Sequence, residues 1–176
     1  TGSVVSGDTR ASEFKEVCEQ ISNTTPKILD FKDSFLDTYP ISEIVTKLDK
    51  IIVEFRPTVV VYPEPSYHQD HQVVNRACTA SLRPTKEFRP DLIMAYEIPT
   101  STWVGSSIPF TPNLFIDITE HMEEKISLFE ELYKSQFTVA ERQKLASNGI
   151  VDHASYRGME CGHKYAEAFR ILQCRG

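Results

Sequence analysis

The sequence predicts an α/β fold in which helices cover a mostly parallel sheet. Apolar residues recur at intervals of three and four between Ile41 and Phe55, which is the spacing of one helical face. Pro57 ends that helix, and residues 58–62 then form an apolar run typical of a central strand covered on both faces. The alternation of helix, buried strand, polar loop and helix indicates an α/β domain with right-handed crossovers.

The other elements follow from the same two periodicities. Thr119 is expected to cap its helix, because a hydroxyl before acidic first-turn residues satisfies free amide groups. In chain order, the sequence predicts a helix at 10–21, a strand at 27–31, the helix at 41–55, the strand at 58–62, a helix through 73–82, strands at 92–96 and 114–116, a helix from 119 towards 137, a shorter helix at 139–147 and a closing strand at 166–172. No repeat or linker divides the 176 residues, so we expect one domain.

Charge and composition exclude some classes of partner. The net charge of −6 and the lack of a basic stripe argue against nucleic-acid binding. The apolar runs are only a few residues long, whereas a membrane span needs about 20. The four cysteines form no C-x-x-C pair, and we expect reduced thiols in a soluble cytoplasmic protein. Two disulfides in a secreted protein remain the alternative.

The residues that suggest chemistry lie directly after the strand at 58–62. His68 and His71, with Asp70 between them, are the side-chain types of a metal ligand, a proton donor and an orienting carboxylate. In an α/β sheet, ligands bind at the carboxyl ends of strands. The alternative is that both histidines are solvated loop residues and that Asp70 caps the following helix.

Several fragments together resemble one known family. They are Arg10-Ala11-Ser12-Glu13, Phe31-Lys32-Asp33, Arg56 to Val61 followed by His68-Gln69-Asp70-His71, Tyr96 to Thr102, Phe115 to Ile118 with Tyr133 to Gln136, and Arg157-Gly158 with Tyr165 to Phe169. The residues in these fragments, and the order of the fragments along the chain, resemble the PIG-L/LmbE-like metal-dependent N-deacetylases over nearly the whole chain. The resemblance implies a three-layer α/β sandwich with a Rossmann-like sheet. No Gly-x-Gly-x-x-Gly is present, so no nucleotide is expected.

One motif of that family is absent from the sequence. The family's His-Pro-Asp-Asp-Glu supplies two metal ligands and the general base, and nothing here matches it. We therefore expect a domain that is incomplete at its N-terminus and lacks the first βαβ unit, with the missing motif encoded upstream of Thr1. His71 alone would not make a catalytic zinc site, which normally takes three protein ligands.

The resemblance also implies roles for individual residues. His71 would be the remaining metal ligand, for Zn²⁺ or another divalent metal. His68, when protonated, would stabilise the oxyanion or protonate the leaving amine, and Asp70 would hold His68 in orientation.

Arg10 and Asp33 would bind substrate through hydrogen bonds with sugar hydroxyls. Each has a simpler alternative. Arg10 would form a surface pair with Glu13, and Asp33 would be an ordinary turn residue.

The function implied is removal of an acetyl group from an N-acetylated amino sugar of the N-acetylglucosaminyl type, with the metal polarising the amide and activating water. Two alternatives remain: a non-catalytic member that binds a sugar or partner, and an amidase acting on a thiol-sugar conjugate. The family also implies a homo-oligomer, a trimer or hexamer. Trp103 and the aromatic residues of 110–115 are expected in the core or in a subunit interface.

Overall fold

A computed structural model describes residues 7–21, 24–99, 109–137 and 139–176. The expectations for Trp103 and for Thr100 to Thr102 lie outside these residues. The helices are α1 (Gly7–Gln20), α2 (Ile41–Phe55), α3 (Gln69–Ser81), α4 (Met122–Leu132) and α5 (Ala140–Cys161), and the strands are β1 (Val59–Pro63), β2 (Leu92–Tyr96), β3 (Leu114–Asp117) and β4 (Ala166–Cys174). Short 3-10 helices lie at Leu36–Thr38, Thr119–His121 and Lys134–Gln136.

The four described strands form one mixed sheet in the order β1-β2-β4-β3. β1 and β2 are parallel, with Val59 opposite Leu92. β2 and β4 are antiparallel, with an irregularity in the register between Ile93 and Met94. The α/β class is therefore confirmed. One of these two strand pairings is parallel and the other is antiparallel, so a mostly parallel sheet is not confirmed. The three-layer arrangement also remains a prediction.

β1 differs from the strand that the sequence predicts. It lies at an edge of the described sheet, and Val59 and Val61 are 46% and 42% exposed. Tyr62, on the other face, is buried. The prediction of a central strand covered on both faces is thus wrong for the described residues, in which only β2 pairs with β1.

Helix α2 has the predicted bounds and packs through the predicted face. Ile44 is buried in a cluster with Val73 and Ala77 of α3. Phe55, the last residue of the stripe, is instead 73% exposed. The helix ends at Arg56, which has a left-handed backbone (φ 51°) and donates its amide to the carbonyl of Ile52 at 2.8 Å.

A second buried cluster joins α3 to the sheet. Tyr62, Leu82 and Ile93 form it, and partly buried Ile52, Val60 and Cys78 pack against it. Both α2 and α3 therefore contribute apolar side chains beneath the strands that carry the histidine loop. These elements belong to one compact unit, residues 31–116 and 168–176.

The other compact unit holds the described residues up to Asp30 and Asp117–Glu167. Its helix α5 has 22 residues, so the predicted short helix at 139–147 is wrong in extent. Gly149 and polar residues interrupt the apolar periodicity that would have revealed the second half. Thr119 starts a 3-10 turn instead of capping α4, and its Oγ1 accepts the amide of Tyr165 at 3.3 Å.

Two local predictions concern the rest of the chain. Residues 27–31 form no strand, because no described segment pairs with them. The four cysteines are free in the described structure, with Cys18 buried, Cys78 partly buried and Cys174 exposed. No described helix has the length and apolar character that crossing a membrane requires.

Candidate functional site

The histidines lie on a short loop held by hydrogen bonds along its length. The loop, residues 64–68, joins the end of β1 to the start of α3. The amide of Glu64 donates to the Tyr96 carbonyl at 2.8 Å, and Asn75 Nδ2 donates to the Pro63 carbonyl at 2.9 Å. Gln72 Nε2 donates to the Ser66 carbonyl at 2.8 Å. The loop is thus fixed to both β2 and α3.

His68 and His71 are brought together at the N-terminus of α3. Their rings stack with centroids 4.9 Å apart and planes 28° from parallel. His68 is the N-cap residue of α3, where its Nδ1 accepts the amide of Asp70 at 3.2 Å. The alternative in which Asp70 caps this helix is therefore wrong, because His68 fills that position.

Ser66 links the two histidines. Its hydroxyl is buried, shares a 2.7 Å hydrogen bond with His71 Nδ1, and accepts the amide of His68 at 3.1 Å. The contact occupies Nδ1 of His71 and leaves Nε2 as the ring nitrogen for any further ligand.

The surroundings of His71 favour its neutral ring. Burial lowers the pKa of His71, the neighbouring His68 lowers it further, and Asp70 acts in the opposite direction. A neutral imidazole is the form that binds a metal or accepts a proton.

The carboxylate of Asp70 faces a different part of the chain from the one expected. Asp70 is buried, and its two oxygens accept the amides of Ser34 at 2.7 Å and Leu36 at 3.1 Å. Asp33 is the residue directly before Ser34 in the sequence. The structure thus places Asp33, His68, Asp70 and His71 within one compact unit.

Arg10 lies on α1, in the other compact unit. The carboxylate of Glu13, its expected surface partner, accepts both the amide and the hydroxyl of Ser135. Two of the family-like fragments, Arg10-Ala11-Ser12-Glu13 and Tyr133 to Gln136, are therefore in direct contact.

Sequence reasoning missed three residues of the loop's surroundings: Ser66, Glu64 and Arg170. Glu64 is buried and accepts a hydrogen bond from Nε of Arg170 on β4. A small polar residue two positions before His68 is a weak local signal for Ser66. No local signal exists for Glu64, because its partner is 106 residues away.

The described residues do not by themselves complete a metal centre. Among residues 7–21, 24–99, 109–137 and 139–176, no three His, Cys, Asp or Glu side chains lie close enough to hold an ion. Catalytic zinc normally takes three protein ligands. His71 has the chemistry of one such ligand, but the described donor set does not fit a complete site.

The protein has an α/β fold, and the loop that carries its candidate site follows strand β1. Comparison with solved structures shows the same fold in three proteins. A conserved protein from Thermus thermophilus has a TM-score of 0.74 and 23% identity, over 97% of this chain and 76% of that one. The N,N'-diacetylchitobiose deacetylase from Pyrococcus horikoshii has a TM-score of 0.74 and 22% identity, over 98% of this chain and 68% of that one.

The third, the 4-carboxy-2-hydroxymuconate hydratase from Pseudomonas putida, has a TM-score of 0.67 and 16% identity, over 96% of this chain and 73% of that one. Because a hydratase shares it, the fold alone does not define the reaction.

Sequence comparison is more specific. The model of the PIG-L family, described as GlcNAc-PI de-N-acetylase, matches residues 4–82, which include both histidines. A diacetylchitobiose deacetylase from Thermococcus kodakarensis is 28% identical over 171 residues, which are 93% of this chain and 62% of the relative. The chain thus spans less than two thirds of that relative. Over residues 4–82 the chain is thus similar to the PIG-L family, and over most of its length it is similar to a deacetylase.

Proposed function

We propose that this chain belongs to a metal-dependent deacetylase that removes the acetyl group from an N-acetylated amino sugar. The observation that carries the proposal is the His68–His71 pair at the start of α3, inside the segment that the family model matches. The relatives named as chitobiose deacetylases make a GlcNAc-type sugar the first substrate to test.

In this proposal each residue of the site has a separate chemical role. His71 offers Nε2 as one ligand for Zn²⁺ or another divalent metal, with Nδ1 held by Ser66. His68 lies beside it, and because its Nδ1 accepts the Asp70 amide, its Nε2 donates a hydrogen bond to the oxyanion. Asp33, in the same compact unit as the histidines, binds a sugar hydroxyl, and the role of Arg10 in sugar binding stays a prediction. A water molecule adds to the acetyl carbonyl carbon, the C–N bond breaks with transfer of a proton to the nitrogen, and acetate and a free amino sugar are released.

The test measures acetate release, metal content and sugar binding on one set of proteins. The protein, with any residues encoded upstream of Thr1 included, is incubated with N,N'-diacetylchitobiose and with N-acetylglucosamine, and the bound metal is quantified by elemental analysis. His71→Ala should lose both metal and activity. His121→Ala is the matched control, because His121 is an exposed histidine beside Glu124 on the other compact unit.

The outcomes separate the candidates. If His71→Ala retains metal and activity, the ligand assignment is wrong. If the wild-type protein, with any upstream residues included, binds diacetylchitobiose but releases no acetate under any metal, the non-catalytic sugar-binding alternative is correct.

A further inference from the structure

The contact between Asp70 and residues 34–36 has features of a positioning device. Asp70 is only 7% exposed, and each of its oxygens accepts one backbone amide, from Ser34 and from Leu36. A buried carboxylate requires such partners, because an unpaired buried charge is costly. The neighbouring Gln69 donates its side-chain amide to the Ser34 carbonyl at 3.1 Å. The first two residues of α3 thus bind both the amide and the carbonyl of Ser34.

Ser34 has a backbone conformation that needs this support. Its φ is 64°, in the left-handed region that non-glycine residues rarely adopt. Such a conformation persists when surrounding contacts determine it. Asp33 is the preceding residue, so the direction of the chain at Asp33 depends on the conformation at Ser34.

The rest of the segment packs independently of Asp70. Phe31 and Tyr39 form an edge contact with centroids 4.9 Å apart, and both pack with Leu36 against the cluster around Ile44. Loss of the Asp70 contact should therefore loosen the turn at residues 33–36 without releasing the whole segment.

The carboxylate is not what orients His68 in this structure. His68 Nδ1 accepts the main-chain amide of Asp70, and that amide is retained in any substitution except proline. The two groups of Asp70 consequently have separate partners, the amide with His68 and the carboxylate with the turn.

We infer that Asp70 is a positioning residue that holds Asp33 in place for sugar binding at the start of α3. The inference rests on the proposed function, because it requires Asp33 to contact the sugar. It changes the expected role of the Asp70 carboxylate from orienting a catalytic ring to fixing a substrate-binding turn.

The test is Asp70→Asn, which keeps the shape but places an amide nitrogen against one of the two donors. For deacetylation of diacetylchitobiose we expect KM to rise about tenfold with kcat within about threefold, as for loss of one hydrogen bond to a charged group. Hydrogen exchange at the amides of Ser34 and Leu36 should become faster. Asp37→Asn, an exposed carboxylate of the same segment, should change neither quantity.

Gln69→Ala provides a second variant on an exposed residue, where folding is not at risk, and should raise KM about threefold. A fall in kcat at unchanged KM for Asp70→Asn, with unchanged exchange at Ser34 and Leu36, would overturn the inference and assign the carboxylate to His68. If the wild-type protein, with any residues encoded upstream of Thr1 included, releases no acetate, the proposed function fails. The exchange measurement then still decides whether Asp70 holds the turn, since unchanged exchange refutes it.

Discussion

Gly158 of α5 lies where the helix approaches the chain that returns to β4. A Cβ atom at this position would lie 2.6 Å from the carbonyl oxygen of His163 and 2.8 Å from the carbonyl carbon and oxygen of Lys164. These are backbone atoms, so no side-chain rotation can relieve the contact. The Gly158 carbonyl also accepts the amides of Gly162 and His163, at 2.8 and 2.9 Å. Any shift would strain the helix end.

Gly158→Ala should therefore destabilise the protein. Overpacking costs about 1–3 kcal/mol, and we take the upper end because the contacts are with backbone. Alanine regains about 1 kcal/mol of helix propensity. The net loss is about 2 kcal/mol, and at about 2–4 °C per kcal/mol for a chain of this size, Tm should fall by about 4–8 °C.

Gly149→Ala is the matched control in the same helix. A Cβ atom at Gly149 meets nothing within 4 Å. The substitution should stabilise the protein by about 0.4–1 kcal/mol, because alanine restricts the unfolded chain and favours helix. Thermal unfolding followed by circular dichroism measures both variants. If Gly158→Ala raises Tm as Gly149→Ala does, the backbone of residues 163–164 does not exclude a Cβ atom at position 158.

Two further predictions concern titration. Burial raises the pKa of Tyr62, so its folded form resists ionisation that the unfolded form undergoes near pH 10. In this pH range the unfolded chain binds fewer protons than the folded chain. The free energy of unfolding should therefore fall as pH rises from about 9 to about 11. Tyr62→Phe should show a smaller fall in urea titrations, and an equal fall would contradict the burial argument. Burial also raises the pKa of Cys78 to about 11. Iodoacetamide at about pH 8 should label exposed Cys174 well before Cys78 in the native protein, and comparable labelling rates by mass spectrometry would disprove this.

The sequence predicted best those features that depend on local spacing. The bounds of α2 and β2 agree with the prediction because their apolar patterns are strong and uninterrupted. The proximity of His68 and His71 also follows from short separation at a helix start. At residues 27–31, β-forming composition was insufficient, because a strand needs a partner that composition does not supply.

Contacts between residues far apart in the sequence could not be predicted in this way. Asp70 meets Ser34 across 36 residues, and Glu13 meets Ser135 across 122. Such pairs leave no periodic signature in one sequence, since each residue type has an ordinary local explanation. An aspartate in the first turn of a helix suggests a cap, and here the cap is a histidine.

That histidine cap has a consequence for the tautomer of His68. While Nδ1 accepts the Asp70 amide, the proton of the neutral ring must reside on Nε2. The ring nitrogen that can donate a hydrogen bond is therefore Nε2, on the side of the ring away from the Asp70 amide. The start of α3 thus fixes the orientation of this donor through a main-chain contact of the helix itself.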